Sequence, residues 1–137
     1  MDKKLLGLVL AFFVTFILFT VAVVFQRPLT QAIRATEENN PSGVNSLIFA
    51  WPLTEKADGT TPVEINVFVR SNSNKPVSKK TVSVSSSLGN VQPAERVSDQ
   101  AGKTSFVITS TTPGIAQLSA IIDNNIPLQK SLSIKFE

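Results

Sequence analysis

The chain has 137 residues and a formal net charge of +3, and it contains no cysteine, histidine or tyrosine. That composition excludes a disulfide framework, thiolate or imidazole metal ligation and every histidine-based catalytic triad. From Arg27 onward 11 Lys and Arg stand against 9 Asp and Glu, and Lys79-Lys80 is the one adjacent basic pair, with no aromatic platform beside it. A solvated strand end is expected there, and no nucleic-acid partner.

Met1-Asp2-Lys3-Lys4 is a short basic-leaning head. Leu5–Phe25, LLGLVLAFFVTFILFTVAVVF, follows with no charged residue and only Thr15 and Thr20 as polar interruptions. At helical rise it spans about 31 Å, the thickness of a bilayer's hydrocarbon core, so membrane lipid is the expected partner of residues 5–25. The run exceeds the usual signal-peptide core, which favours an uncleaved anchor. Thr20-Val21-Ala22 is an imperfect small-x-small cleavage site, so a cleaved, secreted form stays open. A lipoprotein is excluded, because lipidation needs a cysteine after the apolar run. Lys3 and Lys4 tie with Arg27 and Arg34 in flanking charge, and the α-amino group tips the orientation toward an N-terminus inside the cell.

Gln26–Ala35 can continue the helix through Pro28, with Leu29 and Ile33 spaced for an interfacial face. Residues 1–35 are thus read as a cytoplasmic stub, transmembrane helix and juxtamembrane segment. Residues 36–45, including TEENNPSG, are read as a flexible spacer.

From residue 46 to 137 the pattern changes to short β-runs divided by turn residues. Ser46–Ala50 is a strand stopped by Trp51-Pro52. Ala57-Asp58-Gly59 is a turn. Val63, Ile65, Val67 and Val69 share one face of the next strand, opposite Glu64, Asn66 and Arg70. Ser71–Pro76 is a loop, and Val82 and Val84 then alternate with hydroxyls. Leu88-Gly89-Asn90 turns the chain, and Val91 begins a run that ends at Pro93. Asp99–Gly102 is another turn before Thr104–Ser110, a strand apolar on both faces and therefore central. Thr112-Pro113-Gly114 leads into Ala116, Leu118, Ala120 and Ile122 on one face. Asp123-Asn124-Asn125 turns again, and Leu132, Ile134 and Phe136 close the series. The fold class is all-β: an Ig-like antiparallel β-sandwich of about seven strands, preceded by one N-terminal transmembrane helix.

Several of these segments resemble one family. Lys75-Pro76-Val77 with Thr81-Val82-Ser83-Val84 resembles the "G/K-x-P-V … V-x-V" segment of bacterial Ig-like domains of the invasin/intimin type, often called Big-1. Ser98-Asp99-Gln100-Ala101-Gly102-Lys103 resembles that family's "T-D-x-x-G-x" turn. Ser110–Ala116 with Ala120 resembles its "S-x-x-x-G-x-A … V-x-A" hairpin, and Ala57-Asp58-Gly59 its "A-D-G" start. The resemblance covers roughly Ala57–Phe136, in the family's order. It implies an extracytoplasmic setting in rod-like surface proteins, adhesins and other envelope proteins. Family members often carry tandem copies, whereas one copy is legible here.

No catalytic, cofactor-binding or metal site is expected. There is no GxSxG and no histidine to activate a serine. Ser78 beside Lys79 and Lys80 reads as ordinary β-face chemistry. Asp58, Asp99 and Asp123, with Asn124 and Asn125, read as turn residues before they read as calcium ligands, which must converge from several directions. Trp51 is expected in core or edge packing, with the capping of a partner surface as the alternative, and an exposed Phe68 would mark a contact patch. Function is therefore read as a non-enzymatic, membrane-anchored interaction module in cell-surface adhesion or envelope structure, with a protein or glycan partner. The alternatives are an accessory subunit of a larger membrane assembly, such as a pilus or secretion apparatus, and a secreted Ig-like domain.

Overall fold

A computed structural model describes residues 2–137, the side chains of residues 25–38 excepted. Leu29 and Ile33, and with them the expected interfacial face, lie outside the described side chains. The chain forms two compact units, residues 1–36 and 37–137.

The first unit is helical: α1 runs Lys3–Asn39. Between Lys3 and Val24 none of its apolar side chains is buried. The two threonines of that stretch are satisfied within the helix. Thr15 Oγ1 donates to the Ala11 carbonyl at 2.7 Å and Thr20 Oγ1 to the Phe16 carbonyl at 2.8 Å.

The second unit is a sandwich of ten strands: β1 (Leu47–Trp51), β2 (Thr54–Glu55), β3 (Val63–Phe68), β4 (Thr81–Ser86), β5 (Asn90–Gln92), β6 (Glu95–Val97), β7 (Lys103–Thr109), β8 (Gly114–Ile122), β9 (Ile126–Pro127) and β10 (Leu132–Phe136). One sheet has the order β1-β3-β7-β5. The other has β2-β10-β8-β4-β6, with β9 paired to β8. All pairings are antiparallel except β2 with β10. The strands beyond the expected seven are very short. β2 and β9 have two residues each, and β6 has no buried residue, so none carries the alternation that marks a strand in sequence.

The core forms where the sheets face each other. Val63, Ile65, Val67 and Val69 are fully buried, as the period-two pattern requires, and Ala116, Leu118, Ala120 and Ile122 answer them from β8. Phe106, Ile108, Ile134 and Phe136 fill the remaining volume. β7 is central in its sheet, between β3 and β5, and its outward Val107 is exposed.

The part of the expected spacer nearest the sandwich is held by it. α1 continues to Asn39, and Pro41 already pairs with Ser71. The Ser42 amide donates to the Arg70 carbonyl at 2.7 Å, and Asn45 Nδ2 donates to the carbonyls of Ser71 and Asn72, both at 3.0 Å. The Gly43 carbonyl accepts from the Gln129 amide at 3.0 Å. Ser42 and Ser46 are buried. Polar composition suggested a free linker, yet polar atoms of residues 42–45 bond to main-chain groups of residues 70–72 and Gln129.

Two turn glycines take positive φ: Gly102 has φ +72° and Gly114 φ +153°. They differ in surroundings. A Cβ on Gly102 would strike the Val69 carbonyl oxygen and lie 3.1 Å from the Val77 amide nitrogen, whereas one on Gly114 would meet only the tip of Leu88, at 3.0 Å. Both valine substitutions incur a backbone cost of about 1–3 kcal/mol. Gly102→Val adds a collision with main chain that cannot move aside. Thermal melts should rank wild type above Gly114→Val above Gly102→Val, and equal melting of the two variants would contradict this packing.

Candidate interaction surface

Each sheet has one face closed in the core, so any contact with another molecule falls to the two outer faces, the edges and the loops. The outer face of the four-stranded sheet is set by register. Leu47 pairs with Phe68, Phe49 with Asn66 and Trp51 with Glu64; across β3, Phe68 pairs with Lys103, Asn66 with Ser105 and Glu64 with Val107. Because Ile48 points inward, Leu47, Phe49 and Trp51 all point outward along β1.

Trp51 is 80% exposed and Phe49 53%. The expectation of core or edge packing for Trp51 is therefore corrected: β1 runs one residue further than Ser46–Ala50, and the parity of the strand turns the indole to solvent. Phe68 is half-buried, and its ring packs edge-to-face on Phe49 with centroids 6.1 Å apart. Beside these rings runs a fixed polar row. Asn66 Nδ2 donates to Glu64 Oε1 at 2.9 Å, and Ser105 Oγ donates to Asn66 Oδ1 at 2.7 Å. β1 is an edge strand, hydrogen-bonded to β3 on one side only.

The outer face of the six-stranded sheet differs in kind. Ser83 and Ser85 on β4, Gln117 and Ser119 on β8, and Ser133 and Lys135 on β10 make it a field of hydroxyls, with the Ser85 and Ser119 oxygens 2.8 Å apart. Its exposed isoleucines, Ile115 and Ile121, sit toward opposite ends of β8 with Gln117 and Ser119 between them.

The turn acids serve their own turns. Asp58 Oδ1 accepts the amides of Thr60 and Thr61, both at 2.8 Å, and Oδ2 accepts the Thr61 hydroxyl at 2.7 Å. These donors hold the Asp58 carboxyl well below the usual carboxylate range, the Thr61 amide contributing most. Asp99 Oδ1 accepts the amides of Ala101 and Lys103 at 2.9 and 2.8 Å. Asp123 ties its turn to β4, through the Thr81 amide at 3.1 Å and an ion pair with Lys80 at 2.9 Å. Among the described residues no three acidic side chains are gathered in a way that could hold a metal ion. Lys80, weighed beside Ser78, is thus engaged elsewhere.

Comparison with known proteins places this fold. A family model described as bacterial Ig-like domain (group 1) matches residues 52–136. Among solved structures, the D0-D1 domain of intimin is 25% identical, covers 72% of this chain and 49% of its own, and superposes with a TM-score of 0.61. The Yersinia pseudotuberculosis adhesin InvE is 28% identical over 72% of this chain and 28% of its own, with a TM-score of 0.62. A C-terminal 282-residue fragment of intimin, solved in complex with the intimin-binding domain of the translocated intimin receptor, is 27% identical over 66% of this chain and 32% of its own, with a TM-score of 0.57. The chain thus spans about half of the first of these structures and less than a third of the other two. No curated protein matches it.

Two outcomes follow from the geometry. Trp51→Ala removes a side chain that packs on little, so it should change stability by less than about 0.5 kcal/mol, whereas Phe106→Ala opens the core and should cost about 3–5 kcal/mol; chemical denaturation followed by circular dichroism compares them. Asp58, with its folded pKa depressed, adds stability that is present above its unfolded pKa and is lost as pH falls through the folded value. Carboxyl-carbon NMR should show it titrating at lower pH than an ordinary aspartate, and in Thr61→Ala, which keeps the amides but loses the hydroxyl, it should move part of the way back.

Proposed function

The chain belongs to the bacterial Ig-like domain (group 1) family, and from that premise we propose that it is a non-enzymatic interaction module held at the outer side of a membrane by α1. The observation that carries the anchorage is the chemistry of Lys3–Val24. Its 22 residues reach about 33 Å, enough to cross a hydrocarbon core. Lipid cannot satisfy a polar group, and the two threonine hydroxyls between Leu5 and Val24 bond back to the helix's own carbonyls. Lys3 and Lys4 precede the apolar run and favour an N-terminus on the cytoplasmic side, with the sandwich beyond the membrane.

The interaction role is supported by kinship and by surface. The intimin fragment of the same fold was solved bound to a receptor domain. This chain offers exposed aromatic rings on an otherwise finished sandwich, and such rings, when clustered, mark contact sites. A protein partner is the reading that both support.

A second reading, an accessory subunit of a larger envelope assembly, draws on the shortness of the tether. α1 ends at Asn39 and the first pairing of the sandwich is made by Pro41. A domain so tied works close to its own membrane.

Alkaline carbonate extraction, combined with protease treatment of spheroplasts from which any outer membrane or wall has been removed, tests the anchorage. The expected result is a protein that stays with the membrane pellet, loses residues 41–137 to external protease and keeps Leu5–Phe25. Recovery in the medium without that segment would overturn the anchor, and full protection from protease would overturn the orientation.

A further inference from the structure

The outer face of β1 is the part of the sandwich that the fold itself does not require. Leu47, Phe49 and Trp51 project outward in one ladder, with Phe68 packed beside Phe49. Nothing in the core calls for a tryptophan 80% exposed next to a phenylalanine 53% exposed. The strand that carries them is an edge, and LIFAW holds none of the charges or prolines by which solvent-exposed edges are usually blunted.

We propose that this ladder is covered by a second copy of the same chain, in a two-fold contact centred on Phe49 and Trp51 that forms when both copies are held in one membrane. The inference rests on the anchorage proposed above. Two observations select a second copy. The first is the placement of charge. The β1 column is free of it, while its neighbours carry Glu64 on β3 and Lys103 on β7. A two-fold contact sets each column against a copy of itself or against its neighbour. Centred on β1 it puts apolar on apolar, with Glu64 and Lys103 left at the solvated rim; centred on β3 it would bury the Glu64 carboxylates of both copies in the contact. The ladder is therefore self-complementary where the rest of the face is not.

The second is area. By the usual size of aromatic and leucine side chains, Leu47, Phe49, Trp51 and Phe68 offer roughly 400 Å² per copy, about half of the ~800 Å² per partner in a stable interface. Such a patch is too small to hold a dimer of free domains at ordinary concentration. Two copies anchored in one bilayer share a thin layer of volume, and that raises their effective concentration enough for a small contact to close. A patch of this size keeps the protein monomeric in solution and lets it pair at the membrane.

The chain has no cysteine, so single cysteines report cleanly. Full-length Glu64→Cys, one strand from the proposed axis, and Ser133→Cys, on the hydroxyl-rich outer face, are each reconstituted in phosphatidylcholine vesicles and treated with a short bis-maleimide. Flotation of the vesicles first reports anchorage on its own, so a chain that fails to float refutes the reading above and not merely the pairing. With the chain inserted, Glu64→Cys should cross-link to itself and Ser133→Cys should not. Adding Trp51→Ala to Glu64→Cys should cut the yield by about tenfold, as loss of a central aromatic does in protein contacts. Dilution with lipid should lower the yield in step and shift the Trp51 emission to the red. Equal yields at the two positions, yields unmoved by Trp51→Ala, or no cross-link at all would overturn the proposal. A Trp51 emission that stays blue at one chain per vesicle would also overturn it, since the bilayer surface would then be what covers the ladder.

Discussion

Everything outside the helix depends on one constraint, the closing of two sheets on a shared apolar layer. β3 buries Val63, Ile65 and Val67 completely, and β8 buries Ala116, Leu118, Ala120 and Ile122. The side-chain period of a strand is two, so every residue committed to that layer assigns its neighbour to solvent. Register then carries the assignment from strand to strand. Ile48 opposite Val67 turns Phe49 outward opposite Asn66. The composition of the outer faces is free to vary once the inner layer is set. That freedom is where two sheets of one domain came to differ, one aromatic at its edge and the other a field of serine hydroxyls.

The sandwich is also closed around its own beginning. Residues 41–46 bond to the loop after β3, through Arg70, Ser71 and Asn72, and to Gln129 between β9 and β10. These contacts reach two separate connecting segments, and they leave no room for a side chain at Gly43, where a Cβ would strike the Pro127 carbonyl. Under the anchorage proposed above, any pull on the N-terminal helix is received at this point. Hydrogen bonds to two segments spread such a load over the fold, where a single strand end would fray.

Much of this was legible in the residues. The alternation in β3, β4, β8 and β10 named the inward side chains correctly, and Asp99, read as a turn residue, accepts two amides of its own turn. Three features were harder to read, each for a physical reason. β6, Glu95–Val97, is held by its pairing with β4 and buries nothing, so it has no apolar period to display. Pro41–Ser46 looks like a linker because its composition is polar, and only the tertiary fold reveals that those polar atoms have backbone partners. Trp51 was misassigned because a lone tryptophan is most often packed. The correcting signal was present: with Ile48 and Ala50 inward, one more residue of strand turns Trp51 outward.

Exposed aromatics on an edge strand are costly in a protein that must stay soluble and unaggregated, because edge and face together offer both the hydrogen bonds and the apolar area that another strand seeks. Charged residues on β1 would remove that hazard cheaply. Glu64 and Lys103 show that the same face accepts charge one and two strands away. The ladder thus stays apolar next to columns that do not, and its position at the edge of the sheet leaves it accessible along its full length. The anchorage proposed above would make such a surface tolerable, since a domain held at a membrane meets other chains in two dimensions and at a number set by that membrane. Under the proposed confinement a small apolar patch becomes a selective contact, and the same helix gives the ladder its use.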